Sequence, residues 1–203
     1  MQQILITGFE PFGGETINPS WEAVRMLPDT IGGYALRKLR LPVSFTSAIR
    51  ELEKSVHENP PASLVCIGQA GGRTGVTPER IRINLMDARI PDNDGFSPVE
   101  APIDPDGPDA YFSTLPVTAI VQAMREAGVP AQASLSAGTY VCNSLLYGTL
   151  HFLAQNELKI PAGFIHVPFL PQQVLAKPQP SLMLEQLQTA LTAALETIAA
   201  ALG

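Results

Sequence analysis

Short apolar runs along this chain alternate with stretches in which apolar residues return every three to four positions. Ile4, Leu5 and Ile6 form one run, stopped at Gly8; residues 64–67 and 164–167 form two more. Runs of this length, closed by Gly or Pro, predict buried strands. Tyr34, Leu36, Leu39 and Leu41 predict another strand, with imperfect alternation. Ile81, Ile83 and Leu85 alternate with Arg82 and Asn84, a period of two that predicts a strand with one covered face. A short strand is predicted over 133–136.

Helical spacing fills the intervals. Asn18 before Pro19 and Ser20 predicts a helix start running to about residue 27, because Asn caps the first amides and Pro there loses no hydrogen bond. Phe45, Ile49, Leu52 and Val56 predict a second helix, stopped by Pro60 and Pro61. Residues 115–128 predict a third, with Gly128 as its stop. A fourth opens near Cys142, and a fifth covers 181–202. Residues 89–110, rich in Asp, Pro and Gly, form a long connection of the kind that is often functional.

Strands and helices mostly alternate, which predicts an α/β fold with a sheet between helical layers. In such sheets ligands bind beyond the carboxyl ends of strands. The loops after Thr7, Ile67, Ser136 and Val167 are those places. The length of 203 residues, with no evident linker or repeat, predicts one domain over 1–203.

Charge and cysteine content narrow the function classes. A net charge of -6 argues against a nucleic-acid binder, which needs a basic face. Two cysteines are too few for a disulfide framework and lack metal-site spacing. No basic leader precedes Ile4, and no apolar stretch approaches the roughly 18 residues that span a bilayer. The expectation is a cytoplasmic protein with free thiols and no membrane partner.

Cys142 follows a small-residue turn at a predicted helix start, where amides and the helix dipole favour an anion and lower a thiol pKa. Position alone also allows a small buried apolar residue. Cys66 lies within an apolar strand and reads as core. A thiol nucleophile needs a base, usually His. His151 lies nine residues along the same helix and points away from Cys142. His57 sits at a helix end and suits solvent. His166 ends an apolar strand; alone it reads as a core histidine, with Cys142 as the best available base. Glu79, Asp87, Asp92, Asp94 and Asp104 are all candidates to orient it, and spacing does not choose among them. Glu79 beside Arg80 and Arg82 also reads as a surface ion pair. The loop GQAGGRTGVT lacks the Lys of a phosphate loop. In GFEPFGG, glycine turns present Phe9 and Phe12 near a strand end, either as pocket walls or as staples to the core.

Three segments together resemble the pyroglutamyl peptidase type I family of cysteine peptidases: GFEPFGG, GQAGGRTGVTPERIRINLMDARIPDNDG, and SAGTYVCNSLLYG followed by FIHVPFLPQQ. The resemblance spans nearly the whole chain. It implies a three-layer α/β/α sandwich with a mostly parallel twisted sheet, and a catalytic Glu79, Cys142 and His166. It implies a pocket of Phe9, Phe12, Gln69, Ile90, Tyr140 and Val141, with Arg89 supporting the oxyanion or pairing with a nearby Asp. It further implies removal of N-terminal pyroglutamate from small peptides, no metal or organic cofactor, and a homotetramer. Tyr140 departs from a family position that is often Phe, and Leu135 from one that is often polar. A phosphate-dependent nucleoside phosphorylase-like enzyme and a non-catalytic binder of pyroglutamyl peptides stand as alternatives.

Overall fold

In a computed structural model that describes residues 1–203, β1 (Gln3–Phe9) leads through α1 (Pro19–Arg25) to the hairpin β2 (Thr30–Ile31) and β3 (Tyr34–Leu41). The hairpin turns on Gly32 and Gly33, both at positive φ, which lets its twist match that of the strands. Then come α2 (Ser47–Glu58), β4 (Ser63–Gln69), β5 (Thr77–Pro78), β6 (Ile81–Ile83) and β7 (Ala110–Phe112). The chain ends with α3 (Val117–Glu126), α4 (Val141–Gln155), β8 (Ala162–Val167), a single 3-10 turn (Pro171–Gln173) and α5 (Leu184–Leu202). No helix is long and apolar enough to cross a membrane.

Six strands form one sheet in the order β2-β3-β1-β4-β8-β5. The inner four are parallel; β2 and β5 run antiparallel at the edges. Strand residues point alternately to the two faces, and both faces are covered, which is why the runs are continuously apolar. Ile4, Ile6, Val65, Ile67, Ile165 and Val167 pack with α1, α3 and α5. Leu5, Leu64, Cys66 and Phe164 pack with α2 and α4. Each Leu or Ile sealed this way contributes about 2 kcal/mol. The expected three-layer α/β/α sandwich is therefore present.

Helix α1 starts as its sequence predicts: the Asn18 side-chain Oδ1 accepts from the Ser20 backbone N–H at 3.1 Å, with Pro19 at the first position. Helix α3 stops before Gly128, whose φ of 80° supplies the left-handed turn. Helix α5 begins at Leu184 and not at 181, because Ser181 pairs with Phe169 and Gln186 reaches back to accept from Met183 N–H.

Two expectations fail. No strand forms over 133–136; the region makes only single bridges, Val76 with Ala131 and Glu79 with Ser134. The Ser134 hydroxyl donates to the Ser136 carbonyl and accepts its N–H, closing a local turn that competes with a ladder. The alternating segment at 81–85 does form a short strand, β6, but outside the main sheet and with its phase inverted. Arg82 is 1% exposed, whereas Ile83 is 37% exposed. The residue turned inward is the charged one, and it points to the carboxylate described below.

Candidate active site

One face of the sheet assembles most of the chemistry. In the β4–β8 register Gly68 lies beside His166 and Cys66 beside Phe164. Edge strand β5 then runs antiparallel to β8, with Thr77 opposite His166, and the chain continues so that Glu79 N–H donates to Phe164 O at 2.9 Å. Glu79 is thus the diagonal neighbour of His166 on the same face. Its Oε1 lies 2.7 Å from His166 Nδ1. Helix α4 covers this face and begins directly over Gly68: a Cβ on Gly68 would stand 2.9 Å from Cys142 Sγ and 2.6 Å from the Phe164 ring. Only glycine leaves room for the sulfur.

Asn143 fixes the start of α4. Its side-chain Oδ1 accepts from Ile83 N–H at 3.1 Å, and its Nδ2 donates to Ile83 O and Leu85 O at 2.9 and 3.0 Å. The helix bearing the thiol is thereby tied to the strand that follows the carboxylate. The backbone N–H groups of Val141 and Cys142, in the first turn of α4, have no acceptor within the protein. They are free donors beside the sulfur, suited to developing negative charge.

Glu79 is fully buried, which excludes the surface ion pair. Arg73 Nη1 approaches its Oε1 at 2.8 Å, and Arg82 Nη1 lies 3.6 Å from Oε2. Burial pushes the Glu79 carboxyl up, but the His166 hydrogen bond and charge, with Arg82, outweigh it and hold it below the usual range. Burial pulls His166 down to about 4 against the opposing pull of Glu79. Burial also pushes the Cys142 thiol up to about 12, opposed by the Arg82 charge. Against the lowering expected at a helix N-terminus, burial is the larger influence on this thiol, although the residue stays partly exposed to the cleft.

These shifts give stability a defined pH window. The folded His166 binds a proton more weakly than the unfolded one, so its contribution is full above about pH 6.5 and is lost as pH falls toward about 4. Cys66 and Cys142 hold theirs more tightly when folded, both rising from 9.0 to about 12. That contribution is full below about pH 9 and is lost as pH rises toward 12. Thermal unfolding followed by circular dichroism should give a Tm plateau between about pH 6.5 and 9, declining on both sides. A Tm still rising above pH 9 contradicts this account.

Cys142 and His166 border a cleft of about 510 Å³ that is also lined by Phe9, Phe12, Gln69, Ile90, Tyr140 and Val141. All six expected pocket residues meet there. Phe9 is itself buried and packs on Phe164, with ring centroids 6.4 Å apart, so it is both staple and wall. Phe12 packs on Tyr140 at 6.0 Å. The Tyr140 hydroxyl donates to Pro91 O at 3.1 Å, so the added hydroxyl is spent on the 89–110 segment. Gln69 Oε1 accepts from Gln173 Nε2 at 3.0 Å, which leaves the Gln69 amide NH2 as its available group. Arg89 is exposed, borders the cleft and makes no ion pair with an Asp.

The other candidates fall elsewhere. Asp92 accepts from the N–H groups of Phe45, Asp94 and Phe96, which shapes the loop that follows Ile90. The Asp94 carboxylate accepts from the Ser47 hydroxyl, and Asp87 borders the cleft without a hydrogen bond to His166, whose Nδ1 is taken by Glu79. Asp104 and Tyr111 hold His151 on the outer part of α4, and His57 is exposed at the end of α2. Sequence reasoning missed Arg73, Arg82, Asn143 and Gln173. Arg82 was concealed by its position in the alternation, where a charged residue reads as solvent-facing. Arg73 carried a signal, as the one cation inside a glycine loop at a strand end.

A family model described as pyroglutamyl peptidase matches residues 2–201. The pyrrolidone-carboxylate peptidase of Thermococcus onnurineus is 54% identical over 183 residues, covering 90% of this chain and 92% of its own length. Pyrrolidone-carboxylate peptidase 1 of Caldanaerobacter subterraneus subsp. tengcongensis is 47% identical over 202 residues, covering 99% and 100%. The crystal structure of pyroglutamyl peptidase I from Bacillus amyloliquefaciens is similar at a TM-score of 0.95 and 44% identity, covering 98% of this chain and 95% of that one.

Proposed function

The chain belongs to the pyroglutamyl peptidase family, and from that premise we propose how its cleft cleaves the bond after an N-terminal pyroglutamyl residue. It is a cysteine-type hydrolase acting on peptide bonds, with Cys142 as nucleophile, His166 as base and acid, and Glu79 as the orienting carboxylate. The observation that carries these roles is the 2.7 Å contact of Glu79 Oε1 with His166 Nδ1, behind a cleft that His166 shares with Cys142.

The thiol proton passes to His166 Nε2 as Sγ attacks the pyroglutamyl carbonyl carbon. Glu79 fixes the Nδ1–H tautomer and stabilises the imidazolium formed at that moment. The carbonyl oxygen, now negative, is held by the free amides of α4, with Arg89 as a further cationic donor. Collapse of this intermediate breaks the C–N bond, and His166 returns its proton to the departing amine. Water then attacks the thioester with His166 again as base, releasing pyroglutamate and restoring the thiol.

The substrate ring is small and uncharged. It suits a slot walled by Phe9, Phe12, Tyr140, Val141 and Ile90, with the free amide NH2 of Gln69 donating to the lactam oxygen. Leaving such a buried partner unmade costs about 1–3 kcal/mol. A free N-terminal glutamate is disfavoured because both its ammonium and its carboxylate would have to give up water to enter the apolar slot. We assign residues 1–203 to one catalytic unit acting on small peptides in the cytoplasm, as a homotetramer. The relatives are peptidases, which supports neither the phosphorylase-like nor the non-catalytic reading.

A chromogenic pyroglutamyl amide tests the proposal. Turnover is expected without added phosphate, is abolished by iodoacetamide, and is absent with the glutamyl amide. Phosphate-dependent turnover, or turnover that survives alkylation, overturns it. Glu79→Gln is expected to lose roughly 10- to 100-fold less activity than removal of the nucleophile, since the thiol and imidazole both remain. An unchanged rate in this variant would remove Glu79 from its role.

A further inference from the structure

Arg82 is fully buried, yet its Nε and Nη2 have no hydrogen-bond partner. Its one hydrogen bond is from Nη1 to Ile81 O at 3.0 Å. The guanidinium carbon lies 4.9 Å over the Phe164 ring, and that ring lies 4.7 Å from His166. Glu79 Oε1 is occupied by His166 and Arg73, whereas Oε2 is buried without a hydrogen bond, 3.6 Å from Arg82 Nη1.

We propose that Arg82 is a positioning residue of this site: its sealed guanidinium holds the second oxygen of Glu79, keeping the carboxylate charged and aimed at His166 Nδ1. The inference rests on the triad reading above.

Stability does not account for this residue. Two unpaired donors on a desolvated cation are costly, and an apolar side chain filling the same space is often neutral or better. The Phe164 face recovers only part of that cost. What the charge does supply is a field. The ionisable groups around it are Glu79 ahead of β6, Cys66 on β4, Cys142 on α4 and His166 on β8, with Arg73 on the other side of the carboxylate. A fixed cation at this point favours the ionised Glu79, disfavours a resting imidazolium at His166, and favours the thiolate over the thiol at Cys142. All three effects keep the base free and make the sulfur easier to deprotonate. Burial lowers Arg82 itself to about 10, so it remains a cation at neutral pH.

The test compares wild type, Arg82→Met and Arg82→Lys. It reads the pH profile of kcat/KM for a pyroglutamyl amide and the rate of alkylation by iodoacetamide. In Arg82→Met the acid edge of the profile should move up by about one pH unit, and alkylation at neutral pH should slow by about tenfold. Arg82→Lys, which keeps the charge, should restore both toward wild type. A residue that only fills space would lower Tm and leave the edge and the alkylation rate in place. Wild-type edges in Arg82→Met, or equal displacement in Met and Lys variants, overturn the proposal. Should the Met variant fail to fold, Arg82→Gln keeps N–H donors on a shorter, uncharged side chain and gives the same readout. Activity persisting in Cys142→Ala would instead overturn the triad reading, whatever Arg82 does.

Discussion

Cys142→Ala is expected to lower kcat/KM for a pyroglutamyl amide by at least about 10⁴-fold. The loss is chemical. Sγ is the atom that forms the thioester, and no other nucleophile in this chain stands in its place, since Cys66 lies sealed within β4. Fold and cleft should survive. The start of α4 is held by Asn143, not by the sulfur, so removing Sγ leaves the anchoring hydrogen bonds in place. The variant should therefore still bind a pyroglutamyl peptide, which titration calorimetry can read beside the activity assay. Full activity in this variant ends the peptidase mechanism as drawn.

His166→Ala is expected to cost a similar factor, about 10⁴-fold or more, because triad members act as a unit. Its structural consequence is greater. The ring fills the space between Phe164 and Glu79, and without it the carboxylate keeps only Arg73 and the more distant Arg82. Tm should fall, and the acid side of the stability plateau should flatten, because the group responsible for it has gone. The vacated space has the shape of the ring that left it. Added free imidazole is expected to restore part of the activity, and it separates lost chemistry from a damaged fold. A variant of wild-type rate, or one rescued equally by any buffer base, would remove His166 as the proton carrier.

Much of this arrangement was legible in the residues themselves. Ile4 to Ile6 reads as a buried strand because both faces of β1 are covered, and Asn18-Pro19 marks a helix start because the cap is local chemistry. The Cys142 and His166 candidates came from strand and helix ends, where this architecture gathers its ligands. Glu79 could not be chosen from five carboxylates without the family resemblance, because its selection depends on β5 lying antiparallel against β8. That pairing joins segments 87 residues apart and leaves no local mark. The upward pull on the Cys142 thiol has a related reason: the helix terminus is visible in sequence, whereas the desolvation around the sulfur is not. Arg82 inverted the expected phase of β6 because a buried ion pair overrode the hydrophobic alternation.

Gly68 sets a limit on how this cleft can be remodelled. The surface under the sulfur is bare main chain, already in contact with Phe164 and Cys142. No substitution can deepen it, and any side chain there pushes the sulfur away. A version of the protein that accepts a bulkier ring must therefore be sought from above, at Phe12, Ile90 and Tyr140, which stand on loops and at the helix entry. The roof is open to redesign, and the ground it covers is not.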